Sequence, residues 1–153
     1  MLMGKIDEIY MREALKEAGK AANIDEVPVG CVIVHKRKII ARGYNQVERL
    51  KDPTAHAEML ALTAAANYLG TKWLNGAILY VTIEPCCMCA GALVLSRLEC
   101  LIFGADDPKT GACGSVINIV NHKKLNHRIK VIKGLLKEES SSLLKSFFKK
   151  KRK

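Results

Sequence analysis

His56-Ala57-Glu58 is followed thirty residues later by Pro85-Cys86-Cys87-Met88-Cys89. These residue types at this spacing can hold a metal and move a proton beside it. Cys86 and Cys89 stand at i and i+3 near the start of a predicted helix, so both sulfurs can face one point. A helix N-terminus lowers the pKa of thiols placed there, which favours the thiolates a metal requires. His56, in the first turn of its own predicted helix, supplies a nitrogen. Two thiolates and an imidazole suit Zn²⁺, whose charge the sulfurs cancel. A structural zinc is normally closed by four protein ligands, whereas a catalytic one keeps a position open. Cys31, Cys87, Cys113, His35, His122 and His127 are the other donors available. Cys87 points away from Cys86 around the helix and none of the rest forms a second ligand pair, which favours the open site. Glu58 then lies near the open position, where a carboxylate can take a proton from activated water and deliver it to a substrate. A CxxC alone would serve redox work or a structural metal equally well; HxE followed by PCxxC is a far sharper signal.

The elements that must position these residues can be read from periodicity. Ile6, Ile9, Tyr10, Ala14, Ala18 and Ala21 recur at helical spacing, which predicts an amphipathic helix over 6–22. β-branched runs at 29–34 and 38–42, separated by Lys36-Arg37, read as an antiparallel hairpin closed by Gly43-Tyr44-Asn45. A helix is expected over 55–69, started by Thr54 or Asp52. Then follow a strand at 77–83, a helix at 87–96, a strand at 101–104 and a long loop at 104–114 with turn signals at Asp107-Pro108 and Thr110-Gly111. Val116 to Asn121 reads as a short helix, 129–133 as a strand and 135–150 as the last helix. This order implies α/β architecture: one mixed sheet of about five strands with helices on both faces, a three-layer α/β/α sandwich.

A chain of 153 residues is expected to form one domain spanning 1–153. With 49% hydrophobic and 26% charged residues, it is not a disordered chain. No apolar run approaches a membrane span, and Asp7, Glu8, Glu13 and Glu17 exclude a secretory signal, so a cytoplasmic protein without membrane attachment is expected. Six cysteines in such a compartment favour metal or thiol chemistry over disulfides. Cys31 and Cys100 lie in apolar runs and read as small buried hydrophobes. Residues 1–120 hold 13 Lys/Arg and 13 Asp/Glu, whereas residues 121–153 hold 12 Lys/Arg against Glu138 and Glu139 alone. The net charge of +10 therefore belongs to the last segment, which ends in a basic tail at 149–153. A concentrated basic end is the footprint of a polyanion. Phe147 and Phe148 beside it suit single-stranded nucleic acid, where bases stack while phosphates pair, or else anchor the last helix to the core.

HxE followed by PCxxC is the signature of the zinc-dependent nucleoside and nucleobase deaminases. Glu26-Val27-Pro28-Val29-Gly30, Asp52 to Glu58, Glu84 to Ala92, Asp107-Pro108-Lys109-Thr110-Gly111 and Asn126-His127-Arg128 resemble the bacterial tRNA-specific adenosine deaminase branch of that family. The resemblance implies a cytidine-deaminase-like fold and a homodimer carrying one Zn²⁺ per subunit. It implies conversion of adenosine to inosine at the wobble position (34) of an arginine tRNA, with the anticodon stem-loop as partner. His56, Cys86 and Cys89 then correspond to the zinc ligands. Zinc hydroxide would attack C6 of adenine, with Glu58 as the proton shuttle. The resemblance makes Asn45 the base-holding asparagine and turns the backbone of Ala57 towards the base. By the same resemblance Val27 and Ile83 would line the pocket, Asp107 and Lys109 would contact the flipped-out nucleotide and its phosphates, and Phe148 with Arg152 would grip the anticodon loop.

Each of these has a plainer alternative: a turn residue for Asn45, core for Val27 and Ile83, a solvated turn for Asp107 and Lys109. His127 is either part of the family motif or a structural histidine at a strand entrance. Glu84 is read as a hydrogen-bonding neighbour of the site rather than a catalytic group. Two features depart from the family pattern: Asp106-Asp107 pairs two acids, and Cys87 is a spare thiol beside the metal. The competing functions are a free-base or nucleoside deaminase for guanine, cytosine or cytidine, and a non-catalytic nucleic-acid-binding module with a structural zinc. The first would not need a basic end with paired phenylalanines; the second predicts a fourth ligand and leaves Glu58 without a task.

Overall fold

The computed structural model describes residues 4–152. Its elements run α1 (Lys5–Asn23), β1 (Gly30–His35), β2 (Lys38–Tyr44), α2 (Val47–Leu50), α3 (Ala57–Leu69), β3 (Ala77–Ile83), α4 (Cys87–Leu95), β4 (Cys100–Ala105), β5 (Lys130–Lys133) and α5 (Lys137–Lys151). The five strands form one sheet in the order β2-β1-β3-β4-β5. β1 is antiparallel to both β2 and β3, while β3, β4 and β5 run parallel. Parallel neighbours need a crossover, and α4 supplies the one between β3 and β4. The hairpin turns on Lys36 and Arg37, both left-handed at φ 51° and 63°, the twist that two-residue hairpins favour.

The central strands are buried almost end to end, as expected of a sheet covered on both faces. Alternate side chains sort into two cores. Cys31, Ile33, Leu79, Val81, Leu101 and Phe103 pack with α3 and α4. Val32, Val34, Tyr80, Cys100 and Ile102 pack with Tyr10, Met11 and Ala14 of α1 on the other face. Helices and sheet approach closely where both are small. A Cβ on Gly30 would strike the α1 backbone at Ala14 and Ala18, and one on Gly43 would strike the α3 backbone at Ala57. The second contact seats the first turn of α3 on β2.

Three expectations need correction. α3 starts later than expected: Asp52 accepts the backbone N–H of Thr54 at 2.8 Å and its hydroxyl at 2.7 Å, closing a local turn, and the N-cap falls on His56. The polar stretch after β2 contains the short helix α2. Val116 to Asn121 forms no helix, because its backbone turns back on the preceding loop instead. Val116 N–H donates to Gly111 at 3.0 Å, Ile119 N–H to Ala112 at 2.9 Å, and Gly114 N–H to Ile117 at 2.9 Å. The crossover from β4 to β5 is therefore a loop. Among the described residues no helix is long and apolar enough to cross a membrane.

The contact at Gly30 gives a stability test. Gly30→Ala forces a methyl into helix backbone that cannot yield and should cost about 1–3 kcal/mol. Gly19→Ala, in the interior of α1 with nothing within 4 Å of the added carbon, should gain about 0.5–1 kcal/mol. Urea midpoints of the two variants should move in opposite directions.

Candidate active site

Two helix N-termini converge at the end of the sheet where β3 and β4 finish. His56 is the N-cap of α3 and Cys86 the N-cap of α4, each with extended backbone and neither capping its helix through its side chain. Their carbonyls already accept the first helical bonds, from Leu60 N–H at 3.1 Å and Ala90 N–H at 2.8 Å. A Ser, Thr, Asp or Asn at an N-cap would add about 1 kcal/mol to each helix. Here both side chains turn towards one another instead. His56 Nδ1 lies 3.6 Å from Cys86 Sγ and 3.6 Å from Cys89 Sγ. Among the described residues these three form the one group of donors, all within 4.8 Å of one another, that could hold a metal ion. Cys87, the neighbour of Cys86, points outward and is exposed.

The electrostatics follow from this geometry. Cys86 is drawn down to about 5, chiefly by the hydrogen bond from the Cys89 thiol. Cys89 is correspondingly raised, its thiol being the donor of the pair. A half-buried imidazole and soft sulfurs at two helix N-termini fit Zn²⁺ by donor chemistry. Glu58, in the first turn of α3 and only 3% exposed, is lifted to about 7, mainly by burial. A carboxyl held near neutrality can both accept and return a proton.

These groups sit at the floor of a cleft of about 1340 Å³. His56, Glu58 and Cys86 line the floor, with Cys89 buried beneath. Val27, Asn45, Ala57, Ile83, Asp107, Lys109 and Phe148 all line the same cleft. Arg152 is the exception: it is exposed at the C-cap of α5 and does not line the cleft. Asp107 is occupied locally, accepting the N–H groups of Lys109 at 3.0 Å and Thr110 at 3.1 Å and the Thr110 hydroxyl at 2.7 Å. α5 forms the outer wall through Leu144, Lys145, Phe147, Phe148 and Lys151. The two phenylalanines meet edge-on with ring centres 5.3 Å apart. Lys151 pairs with Asp25 beyond α1, at 2.5 Å. His127 Nε2 lies 2.6 Å from the Leu98 carbonyl, away from the cleft.

Two buried acids hold the walls: Glu84, expected as a hydrogen-bonding neighbour of the site, and Glu26, to which the sequence reading gave no role. Glu26, 1% exposed, accepts the N–H groups of Glu48 at 3.1 Å and Arg49 at 2.6 Å, fixing α2 beside Asn45. Glu84, 2% exposed, accepts N–H groups from Asp107 at 3.0 Å, Cys113 at 2.9 Å and Ser115 at 3.1 Å, and the Ser115 hydroxyl. These four donors hold its carboxyl below the usual range although burial opposes them. Gly111 lies flat against that carboxylate, where a Cβ would not fit. Ala112 N–H donates to the Pro85 carbonyl at 2.9 Å, so the loop clamped by Glu84 also braces the segment bearing Cys86. The available signal was an acid at the end of an apolar strand, directly before Pro85.

Sheet order, helices on both faces and a His/Cys/Cys donor group beside a buried glutamate define a deaminase with the cytidine-deaminase-like fold. A family model for MafB19-like deaminases matches residues 6–152. The tRNA-specific adenosine deaminase of Bacillus subtilis (strain 168) is 50% identical over 147 residues, covering 96% of this chain and 91% of that protein. The protein of the same name from Aquifex aeolicus (strain VF5) is 54% identical over 150 residues, covering 98% and 97%. A chain solved in a study of A-to-I editing by tRNA:A34 deaminases at the wobble position of transfer RNA superposes with a TM-score of 0.86 at 43% identity, covering 89% of this chain and 99% of that one. The chain belongs to the MafB19-like deaminases and, within them, to the tRNA-specific adenosine deaminase family.

Glu84→Ala would strand three backbone N–H groups and a hydroxyl around a void. Of these only the Cys113 N–H is fully buried; an unsatisfied buried donor costs about 1–3 kcal/mol, so a loss of about that size is expected. Urea unfolding measures that loss, and limited proteolysis of the folded variant should cut within 106–119, where the parent resists.

Proposed function

We propose that this chain hydrolyses adenosine to inosine at the wobble position (34) of a tRNA anticodon, that of an arginine tRNA, as a cytoplasmic homodimer holding one Zn²⁺ per subunit. The observation that carries the reading is the pairing of a three-donor floor containing Glu58 with an aromatic and cationic wall from α5 in one cleft. His56, Cys86 and Cys89 would hold the zinc. When bound in such a set, zinc acts as a Lewis acid and lowers the pKa of water at its open position to about 7.

The remaining chemistry falls to the chain's own groups. Glu58 takes the proton of the attacking water and passes it to the ring nitrogen next to C6 as the C6–O bond forms. It then takes the proton of the new C6 hydroxyl and delivers it to the exocyclic amine. The C6–N bond breaks, ammonia leaves and the carbonyl of inosine remains. Asn45 offers the base both a donor and an acceptor, and Val27 and Ile83 press on its faces. Asp107 shapes the turn that presents Lys109 to the phosphates, and Phe148 stacks a neighbouring base. Arg152, outside the cleft, contributes charge to phosphates farther along the strand.

Magnitude favours a nucleotide in a strand over a free base. Pockets for small molecules typically run to roughly 300–1,000 Å³, and this cleft is larger and walled by an exposed phenylalanine. An anticodon loop is already single-stranded, so presenting its base costs little unpairing energy.

The deciding experiment offers zinc-loaded protein an anticodon stem-loop with adenosine at position 34, alongside free adenosine, cytidine and guanine. Inosine should form in the stem-loop alone. Glu58→Gln should retain one zinc per chain by metal analysis and lose about 10²–10⁴ in kcat, the usual contribution of a general acid–base group. Turnover of a free base with the stem-loop untouched would keep the metal chemistry and overturn the RNA substrate.

A further inference from the structure

The basic excess of residues 121–153 divides in the fold. Lys145, Lys149, Lys150, Lys151 and Arg152 lie on or just beyond α5 at the cleft end of the sheet, whereas Lys124 precedes β5 at the opposite end. There a second concavity of about 440 Å³ opens among the segments leading into the parallel strands. Lys72 and Trp73 come from before β3, Leu95 and Arg97 from before β4, and Lys124 and Leu125 from before β5. Among the described residues no Asp or Glu lines it. Trp73, the chain's single tryptophan, is 46% exposed, and Leu95 is 80% exposed. The Lys72 ammonium and the Arg97 guanidinium stand 5.0 Å and 5.6 Å from the centre of the Trp73 ring. Among the described residues none of the three cations pairs with a carboxylate.

Arg97 has a further peculiarity. It follows the C-cap of α4 in a left-handed conformation, φ 59°, where glycine is the usual choice. An arginine there accepts backbone strain while holding its guanidinium on the tryptophan ring. Apolar ring, a guanidinium within cation–π range of it and unpaired ammonium groups make a face suited to a phosphodiester backbone. An acidic counterpart is what the charge calls for, and the free cations outweigh the apolar rim as a determinant of the occupant. β3 spans roughly 23 Å at about 3.3 Å per residue, so this face is well removed from the donor group at the other end of the strands.

We propose that this face is a second RNA-binding surface, where Lys72, Arg97 and Lys124 neutralise backbone phosphates of the tRNA body outside the anticodon loop. The proposal rests on the tRNA reading above. The cleft selects the base to be changed; this face adds affinity that does not depend on sequence, and it distinguishes a whole tRNA from an isolated loop.

The test is the triple variant Lys72→Ala, Arg97→Gly, Lys124→Ala, in which glycine keeps the left-handed turn without strain. On full-length tRNA, kcat/KM should fall tenfold or more. The slope of log Kd against log[KCl] should become shallower by about 2–3, since each phosphate contact contributes about 0.7–0.9. On a five-base-pair anticodon stem-loop, kcat/KM should stay within twofold, and sedimentation should show the parent's oligomeric state. Unchanged tRNA binding and salt slope would overturn the proposal. So would equal losses on tRNA and stem-loop, or a changed oligomeric state, which would make the face a protein contact. Should the parent deaminate neither RNA, the tRNA reading fails by itself. The surface is then decided by the tRNA salt slope alone, standing if the variant flattens it and falling if not.

Discussion

The structure turns on the meeting of two helix N-termini over the ends of β3 and β4. Each helix arrives with unpaired N–H groups and the positive end of its dipole, a pairing that attracts negative charge. The chain answers with side chains that become anionic or that bind a cation. Cys86 and Cys89 enter from α4, His56 and Glu58 from α3. For the imidazole to reach the sulfurs at 3.6 Å, α3 must lie hard against β2, and it does so only because residue 43 has no side chain. The alanines at 57, 61 and 65 serve the same approach, being fully buried where larger residues would lift the helix away. The packing of one face of the sheet is thus subordinate to the spacing of three donor atoms.

Three buried glutamates show how far surroundings override residue type. Glu84 and Glu58 are almost equally hidden, at 2% and 3% exposure. Glu84 is met by three N–H groups and a hydroxyl, so its charge is favoured in spite of burial. Glu58 has only its own backbone N–H and the Cys89 thiol as donors, so burial prevails and its carboxyl rises to about 7. Glu26 receives two N–H groups at the start of α2 and acts as a strut. Saturating a carboxylate with donors makes it architectural; leaving it short of donors beside a metal-binding group makes it reactive.

The order of strands and helices was legible because hydrophobic period and turn residues act locally, and the two faces of β1, β3 and β4 follow from alternation alone. The donor group was legible because HxE and PCxxC fix residues within single helical turns. What escaped depended on competition between local and distant partners. Thr54 and Asp52 are good caps, yet they bond to one another and leave the N-cap to His56, whose side chain is committed elsewhere. Val116 to Asn121 has enough apolar residues for a helical turn, but Gly111 and Ala112 offer its N–H groups carbonyls first. The roles of Glu26 and Glu84 depend on segments more than twenty residues away in sequence, and no periodicity registers them.

Charge was the least faithful guide to space. Read along the chain, all the excess lies after residue 120 and looks like one basic tail. The parallel strands undo that reading, because a segment just before β5 and a helix just after it emerge at opposite ends of the sheet. Lys124 therefore joins Lys72 and Arg97, drawn from the part of the chain with no net charge, while α5 brings its lysines to the cleft. A polyanion meets charge density in space rather than net charge along a sequence, and a neutral segment can supply two of the three cations of a basic surface when its acids are spent elsewhere. Asp7 accepts the Gly4 N–H and the Tyr80 hydroxyl, Glu13 and Glu17 hold Arg42, and Glu26 and Glu84 take backbone N–H groups. With those carboxylates turned to internal work, the cations around Trp73 stand without counter-charges.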